Sequence, residues 1–176
     1  IPGLADCPVA VTNVELLHQA ARPERLVVLG GGFIGLEFAA MYAAFGCSVT
    51  VLERYPAVLA GEEPEIADMA RSLLAARGVD IQTGTDVIDV QTILRPGAAP
   101  MARVRYLSDG QPVSVDADTV LVALGRTPLT KDLGLEVAGL KPGELIHVDA
   151  HNRVPGHDWL WVVGDANGRA LAYLAH

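Results

Sequence analysis

Hydrophobic and polar positions follow two different periods along this chain, and the change of period divides it. Leu26-Val27-Val28-Leu29 is an apolar run of strand length leading into Gly30, which predicts a first strand over 26–30. Residues 33–45 carry a helical pattern that closes at Gly46, a natural stop. Ser48-Val49-Thr50-Val51-Leu52-Glu53 reads as a buried parallel strand with an acid at its C-terminal end. After a loop over 54–63, residues 64–77 place Ile66, Met69, Ala70, Leu73 and Leu74 on one helical face, with Pro in the first turn and Gly78 at the stop. Val79-Asp80-Ile81 starts a third parallel strand.

Between about 85 and 118 the period becomes two. Segments 87–90, 102–106 and 113–116 alternate, and Asp109-Gly110 separates the last two as a hairpin turn. This predicts an antiparallel three-stranded meander inserted into the parallel sheet. Residues 118–125 return as a continuous apolar strand of the kind buried on both faces. Leu160-Trp161-Val162-Val163-Gly164-Asp165 is a further strand-to-turn signal ahead of a last helical segment. At the front, residues 1–11 are Pro-containing and irregular, and Thr12-Asn13-Val14-Glu15 is a capping box opening a short helix before Pro23.

The junction of first strand and first helix reads Gly30-Gly31-Gly32-Phe33-Ile34-Gly35. In a Gly-x-Gly-x-x-Gly turn, Gly30 allows the tight turn, Gly32 lets backbone approach a pyrophosphate, and Gly35 lets the helix lie close on the sheet. The helix start at Phe33 would point free N–H groups and its positive dipole end at the phosphates. Glu53 follows Gly30 by roughly 20 residues, the spacing that brings a carboxylate to the adenosine ribose. A glycine turn alone can merely pack a helix on a sheet. The order strand, turn, helix, strand, acid favours an α/β, Rossmann-like three-layer nucleotide-binding domain.

Composition narrows the partners. The net charge is −8, and the 13 Lys and Arg form no basic face, which argues against nucleic acid. The apolar share is 51%, yet no run approaches the roughly 20 residues of a membrane span, so a cytoplasmic protein is expected. Cys7 and Cys47 have no metal or redox spacing; Cys47 reads as a small core residue and Cys7 as a surface position in a Pro-flanked loop, with an exposed reactive thiol as its sharper alternative. His147, His151 and His157 form no metal-ligand grouping, and Trp159 and Trp161 read as packing residues beside a strand.

Taken in order, Gly30 to Glu37, Val51-Leu52-Glu53, Ala123-Leu124-Gly125-Arg126-Thr127-Pro128 and Val163-Gly164-Asp165 resemble the successive signatures of the flavin-dependent pyridine nucleotide-disulfide oxidoreductases. The nearest branch is that of dihydrolipoamide dehydrogenase, mercuric reductase and glutathione reductase. Leu129 departs from the pattern, standing where Asn is usual. The resemblance implies one NAD(P)H-binding domain over 1–176, with 1–25 a lead-in and about 151–176 the start of a resumed FAD-domain segment. The chain begins at Ile and stops in a helical pattern, so it is read as a piece of a longer protein that dimerises through a domain outside it. Alone it is expected to bind NADH weakly, hold no FAD and turn nothing over.

By the same resemblance, Gly30, Gly31, Gly32 and Gly35 hold the pyrophosphate, Phe33 and Ile34 flank the nicotinamide, and Glu37 is the catalytic candidate, orienting the nicotinamide carboxamide over the flavin. As a plain helix residue, Glu37 would be a solvated acid. Glu53 accepts from the ribose hydroxyls, whereas Arg54 either pairs with a 2′-phosphate or points to water; with Gly35 a glycine, NAD is the expected cofactor and NADP the possible one. Val87 offers backbone to the adenine. Ala123, Gly125 and Arg126 sit where the sheet meets the dinucleotide, Arg126 capping the site or bracing its loop. Gly164 and Asp165 belong to the FAD signature, Asp165 accepting from the ribityl chain or serving as a helix N-cap. An NADH-sensing Rossmann module without turnover is the alternative, and the FAD signature argues against it.

Overall fold

The computed structural model describes residues 1–168. Its elements are β1 (Ala10–Val11), α1 (Asn13–Leu17), β2 (Arg25–Leu29), α2 (Phe33–Ala44), β3 (Ser48–Glu53), α3 (Pro64–Ala75), β4 (Asp80–Thr83), β5 (Asp86–Ile93), β6 (Met101–Ser108), β7 (Gln111–Ala117) and β8 (Thr119–Val122). Strands β1, β8, β2, β3 and β4 lie in that order in one sheet, every neighbouring pair parallel. Strands β5, β6 and β7 form a separate antiparallel sheet, with Asp109 and Gly110 both at positive φ in the hairpin between β6 and β7.

Because strand side chains alternate between faces, the core of this first unit, Ile1–Gly125, sorts into two layers. Leu26, Val28, Val49, Val51, Ile81 and Leu121 meet Leu16 of α1, Leu36, Phe38, Ala39 and Tyr42 of α2, and Leu74 of α3. Val27, Leu29, Leu52 and Val120 meet Val90, Ala102, Val104, Tyr106 and Ala117 of the meander on the other face. Helices, parallel sheet and antiparallel sheet are the three layers. Coverage on both sides explains why β2 and β8 read as unbroken apolar runs.

Several details differ from the sequence expectation. On α3 the side chains that reach the core are Ala67 and Leu74, while Ile66, Met69 and Leu73 are exposed. This helix packs on β4, the edge strand, which is too narrow a support to cover its whole apolar arc. The irregular lead-in contains β1, two residues that pair with β8 and are too short to show a period. Cys7 is not at the surface: it is buried beside the meander, because Val90 N–H donates to the Pro2 carbonyl at 3.0 Å and draws the lead-in onto β5. Cys47 is buried as expected, its thiol donating to the Pro23 carbonyl at 3.0 Å.

Three arginine–carboxylate pairs brace the strands: Arg105 with Asp89, Arg103 with Asp116 at 2.7 Å, and Arg25 with Asp118 at 2.8 Å. Hydrogen bonds from these guanidinium groups hold all three carboxyls below the usual carboxylate range. A lowered folded pKa contributes stability that is complete above the unfolded value and is lost as pH falls through the folded one. Thermal melts are therefore expected to be flat near neutrality and to drop below about pH 4, with Asp118→Asn shallower on that acid limb.

The second compact unit begins at Arg126. Its core is Leu135, Ile146 and Val154, with Leu140, Val148, Leu160 and Val162 packed around them. Thr130 is fully buried, its hydroxyl donating to the Glu144 carbonyl at 2.8 Å and accepting Gly143 N–H at 3.0 Å. The strand expected over 160–165 is reduced to one antiparallel bridge, Arg153 to Trp161, followed by a 3-10 turn over Gly164–Asn167. Trp159 and Trp161 are exposed rather than packed. The helical segment expected at the chain end, with His176, lies outside the described residues.

Candidate nucleotide-binding site

A cleft of about 570 Å³ opens at the C-terminal ends of β2, β3 and β8, a size suited to a small-molecule ligand. Its floor is the glycine turn. Gly30 N–H donates to the Leu52 carbonyl at 2.9 Å, and its φ of +105° turns the chain off β2. A Cβ on Gly30 would lie 2.4 Å from the Ala123 carbonyl oxygen, and one on Gly35 would lie 2.0 Å from that of Gly30. These two glycines are therefore required by the protein's own backbone.

Gly32 is different. It is exposed, extended, and a Cβ there would meet nothing within 4 Å, so the space in front of it is open. It is also the N-cap of α2, which has no side-chain cap and no acid in its first turn. The first N–H groups of such a helix end lack intrahelical acceptors and carry the positive dipole end. An anion in the open space would satisfy both.

Glu53 is buried beside this turn, and each of its carboxylate oxygens accepts a backbone N–H: Oε2 from Gly31 at 2.6 Å and Oε1 from Tyr55 at 2.7 Å. Leu59 N–H returns to the Gly31 carbonyl at 2.9 Å. The glycine turn is thus tied to the loop after β3 through Glu53 and Leu59. Gly31 spends its N–H on Glu53, which leaves the open N–H groups to the start of α2.

The cleft brings together Gly30, Gly31, Gly32, Glu53, Arg54, Val87, Ala123 and Gly125 of the predicted set. It also includes Ile1, Tyr55, Leu59, Thr85 and Asp86, which no sequence signal singled out. Thr85 is buried and locked to the Glu53 carbonyl by its N–H at 3.0 Å and hydroxyl at 3.1 Å. Phe33, Ile34 and Glu37 do not line this cleft; Phe33 and Glu37 are exposed on α2 and Ile34 is half-buried.

In the second unit, Arg126 pairs with Asp165 at 3.1 Å. Asp165 does not cap the turn at 164–167: the N-cap position is Val163, and no side-chain cap bond is present. His157 bonds to the Ala138 carbonyl at 2.7 Å through Nε2, and among the described residues no group of His, Cys, Asp and Glu can hold a metal ion. No helix of the described residues is long and apolar enough to cross a membrane.

Fold and cleft define a Rossmann-like α/β protein. The chain belongs to the pyridine nucleotide-disulphide oxidoreductase family, whose model matches residues 1–176. It is 33% identical over 186 residues to the dihydrolipoyl dehydrogenase of Synechocystis sp., covering 99% of this chain and 38% of that protein. Against the dihydrolipoyl dehydrogenase of Geobacillus stearothermophilus the identity is 38% over 167 residues, covering 90% and 33% respectively. Among solved structures, the HOCl-induced flavoprotein disulfide reductase RclA of Escherichia coli superposes with a TM-score of 0.78 at 32% identity, over 99% of this chain and 39% of that one. The chain thus spans between about a third and two fifths of the length of these relatives.

Proposed function

We propose that residues 1–125 bind NADH within an FAD-dependent oxidoreductase that passes the hydride to flavin and the electrons on to a disulfide or another acceptor. The observation that carries this reading is the open face of Gly32 at the uncapped start of α2, beside two glycines whose side-chain positions are already filled by backbone. The dinucleotide supplies the hydride. The protein supplies position: Gly32 admits the pyrophosphate, the first N–H groups of α2 neutralise it, and Glu53 accepts from the ribose with the lone pairs its two backbone bonds leave free. Glu37 orients the nicotinamide where the flavin domain meets α2. Gly164 and Asp165 form the flavin half of the proposal, with Asp165 braced by Arg126 and still partly exposed to accept from a hydroxyl. The resumed flavin segment, from about 151, and a homodimer of the cytoplasmic parent through a domain outside this chain complete it.

Two acids, Glu53 and Asp86, line the cleft, which favours NADH over the 2′-phosphorylated cofactor. Titration of the chain with both cofactors is expected to give the tighter binding to NADH; tighter NADPH overturns the preference. Glu53→Gln is expected to weaken NADH by about 1.5 kcal/mol, roughly tenfold, and to narrow the gap to NADPH.

A further inference from the structure

Arg54 is the only basic side chain among the described residues lining the cleft, yet it does not stand there as an isolated cation. Its guanidinium carbon lies 5.5 Å above the centroid of the Tyr55 ring, within the range of a cation–π contact. Tyr55 in turn has little freedom at its backbone. Its N–H donates to Glu53 at 2.7 Å, and its carbonyl accepts Gly84 N–H at 2.8 Å. One residue therefore fastens the buried acid with its main chain and holds the adjacent arginine with its ring.

We infer that Tyr55 is a specificity-determining residue: it keeps Arg54 on its ring, so that a 2′-phosphate can recruit the guanidinium only by breaking that stack, which favours NADH over NADPH. This rests on the reading of the cleft as a dinucleotide site. The electrostatics of the cleft agree. A 2′-phosphate would arrive beside Glu53 and Asp86, and Arg54, the one basic side chain lining the cleft among the described residues, is already engaged. A ring contact of this kind at an exposed site is worth about two- to fivefold in an equilibrium constant, which sets the size of the effect. Arg54 must forgo that much before it can pair with phosphate, and removal of the ring returns it.

The test is a set of cofactor titrations of the 176-residue chain with Tyr55→Leu, Tyr55→Phe, Arg54→Gln and the Tyr55→Leu/Arg54→Gln pair. Tyr55→Leu is expected to tighten NADPH by about two- to fivefold relative to NADH. Tyr55→Phe, which retains the ring, is expected to keep the original ratio. In the double variant the gain disappears, because the arginine that produced it is gone. Arg54→Gln alone is expected to move the ratio by less than about twofold, and this arm stands even if Tyr55→Leu folds poorly. An unchanged ratio in Tyr55→Leu, including a parallel loss of both cofactors that would make the ring a base-stacking platform, overturns the inference. So does a gain that survives without Arg54, or a tenfold loss of NADPH from Arg54→Gln alone. Failure of every form to bind either cofactor overturns the underlying reading and the inference with it, whereas NADH binding with unchanged ratios removes only the inference.

Discussion

Gly32→Thr is expected to weaken NADH by about tenfold or more, some 1.4 kcal/mol or above, while leaving the fold intact. A Cβ at position 32 meets no protein atom within 4 Å, and the backbone there is extended, a conformation that threonine adopts without strain. Threonine is also about as good an N-cap as glycine, so α2 should hold its start to within about 0.5 kcal/mol. A change of that size moves the melting temperature by about 2 °C or less in a chain of this length. The added carbon and hydroxyl project instead into the open space where the pyrophosphate is proposed to sit. Calorimetric titration beside a melting curve separates the two effects. Retained affinity would mean that the phosphates do not approach this turn.

Gly35→Ala is the opposite case, with its first effect on the fold. The new Cβ would stand 2.0 Å from the Gly30 carbonyl oxygen and 3.2 Å from the Val28 side chain. Neither neighbour can give way freely, because Gly30 is itself fixed by its bond to Leu52 and by the Ala123 carbonyl against its own Cβ position. The helix must therefore lift from the sheet, at a cost of about 2–4 kcal/mol by comparison with overpacked cores. That corresponds to a fall in melting temperature of roughly 5–15 °C. Nucleotide affinity is lost as well, since the shift moves the first N–H groups of α2. A melting temperature equal to that of the unsubstituted chain would contradict the close approach of helix and strand.

These two glycines show how far the chemistry of the cleft was legible in the residues. Both belong to one motif, whose spacing marks Gly35 for the close helix–sheet contact that the structure shows and Gly32 for a position that the structure leaves open. The strands were legible for a similar reason. Leu26 to Leu29 and Val120-Leu121 are covered on both faces, so their apolar runs are unbroken, while along β6 Arg103 and Arg105 are exposed between the buried Ala102, Val104 and Tyr106.

What was not legible is what depends on tertiary partners alone. Cys7 is buried because the lead-in is drawn onto the meander by Pro2, a contact across almost ninety positions that leaves no local trace. Of the helical stripe that periodicity assigns to α3, Leu74 is buried, but Ile66, Met69 and Leu73 are exposed and Ala67 faces the core instead, because the helix rests on an edge strand. Tyr55 reaches the cleft from the loop after β3, held by the bonds that Glu53 and Gly84 make to its backbone, and Asp86 reaches it from the first position of β5; neither carries a motif. In the second unit, short apolar stretches around Trp161 suggest a strand, but the surrounding Pro, Gly and Asn residues leave only a single bridge.

The glycine turn and the start of α2 are proposed to receive the dinucleotide. Amide chemical shifts of the chain during NADH titration test it directly. Saturable shifts are expected, largest at the amides of Gly32, Phe33 and Ile34, with a smaller response at Gly31, whose N–H is held by Glu53 at 2.6 Å. Saturation with shifts confined to residues beyond Arg126, or no response over 30–35 at millimolar NADH, would contradict it.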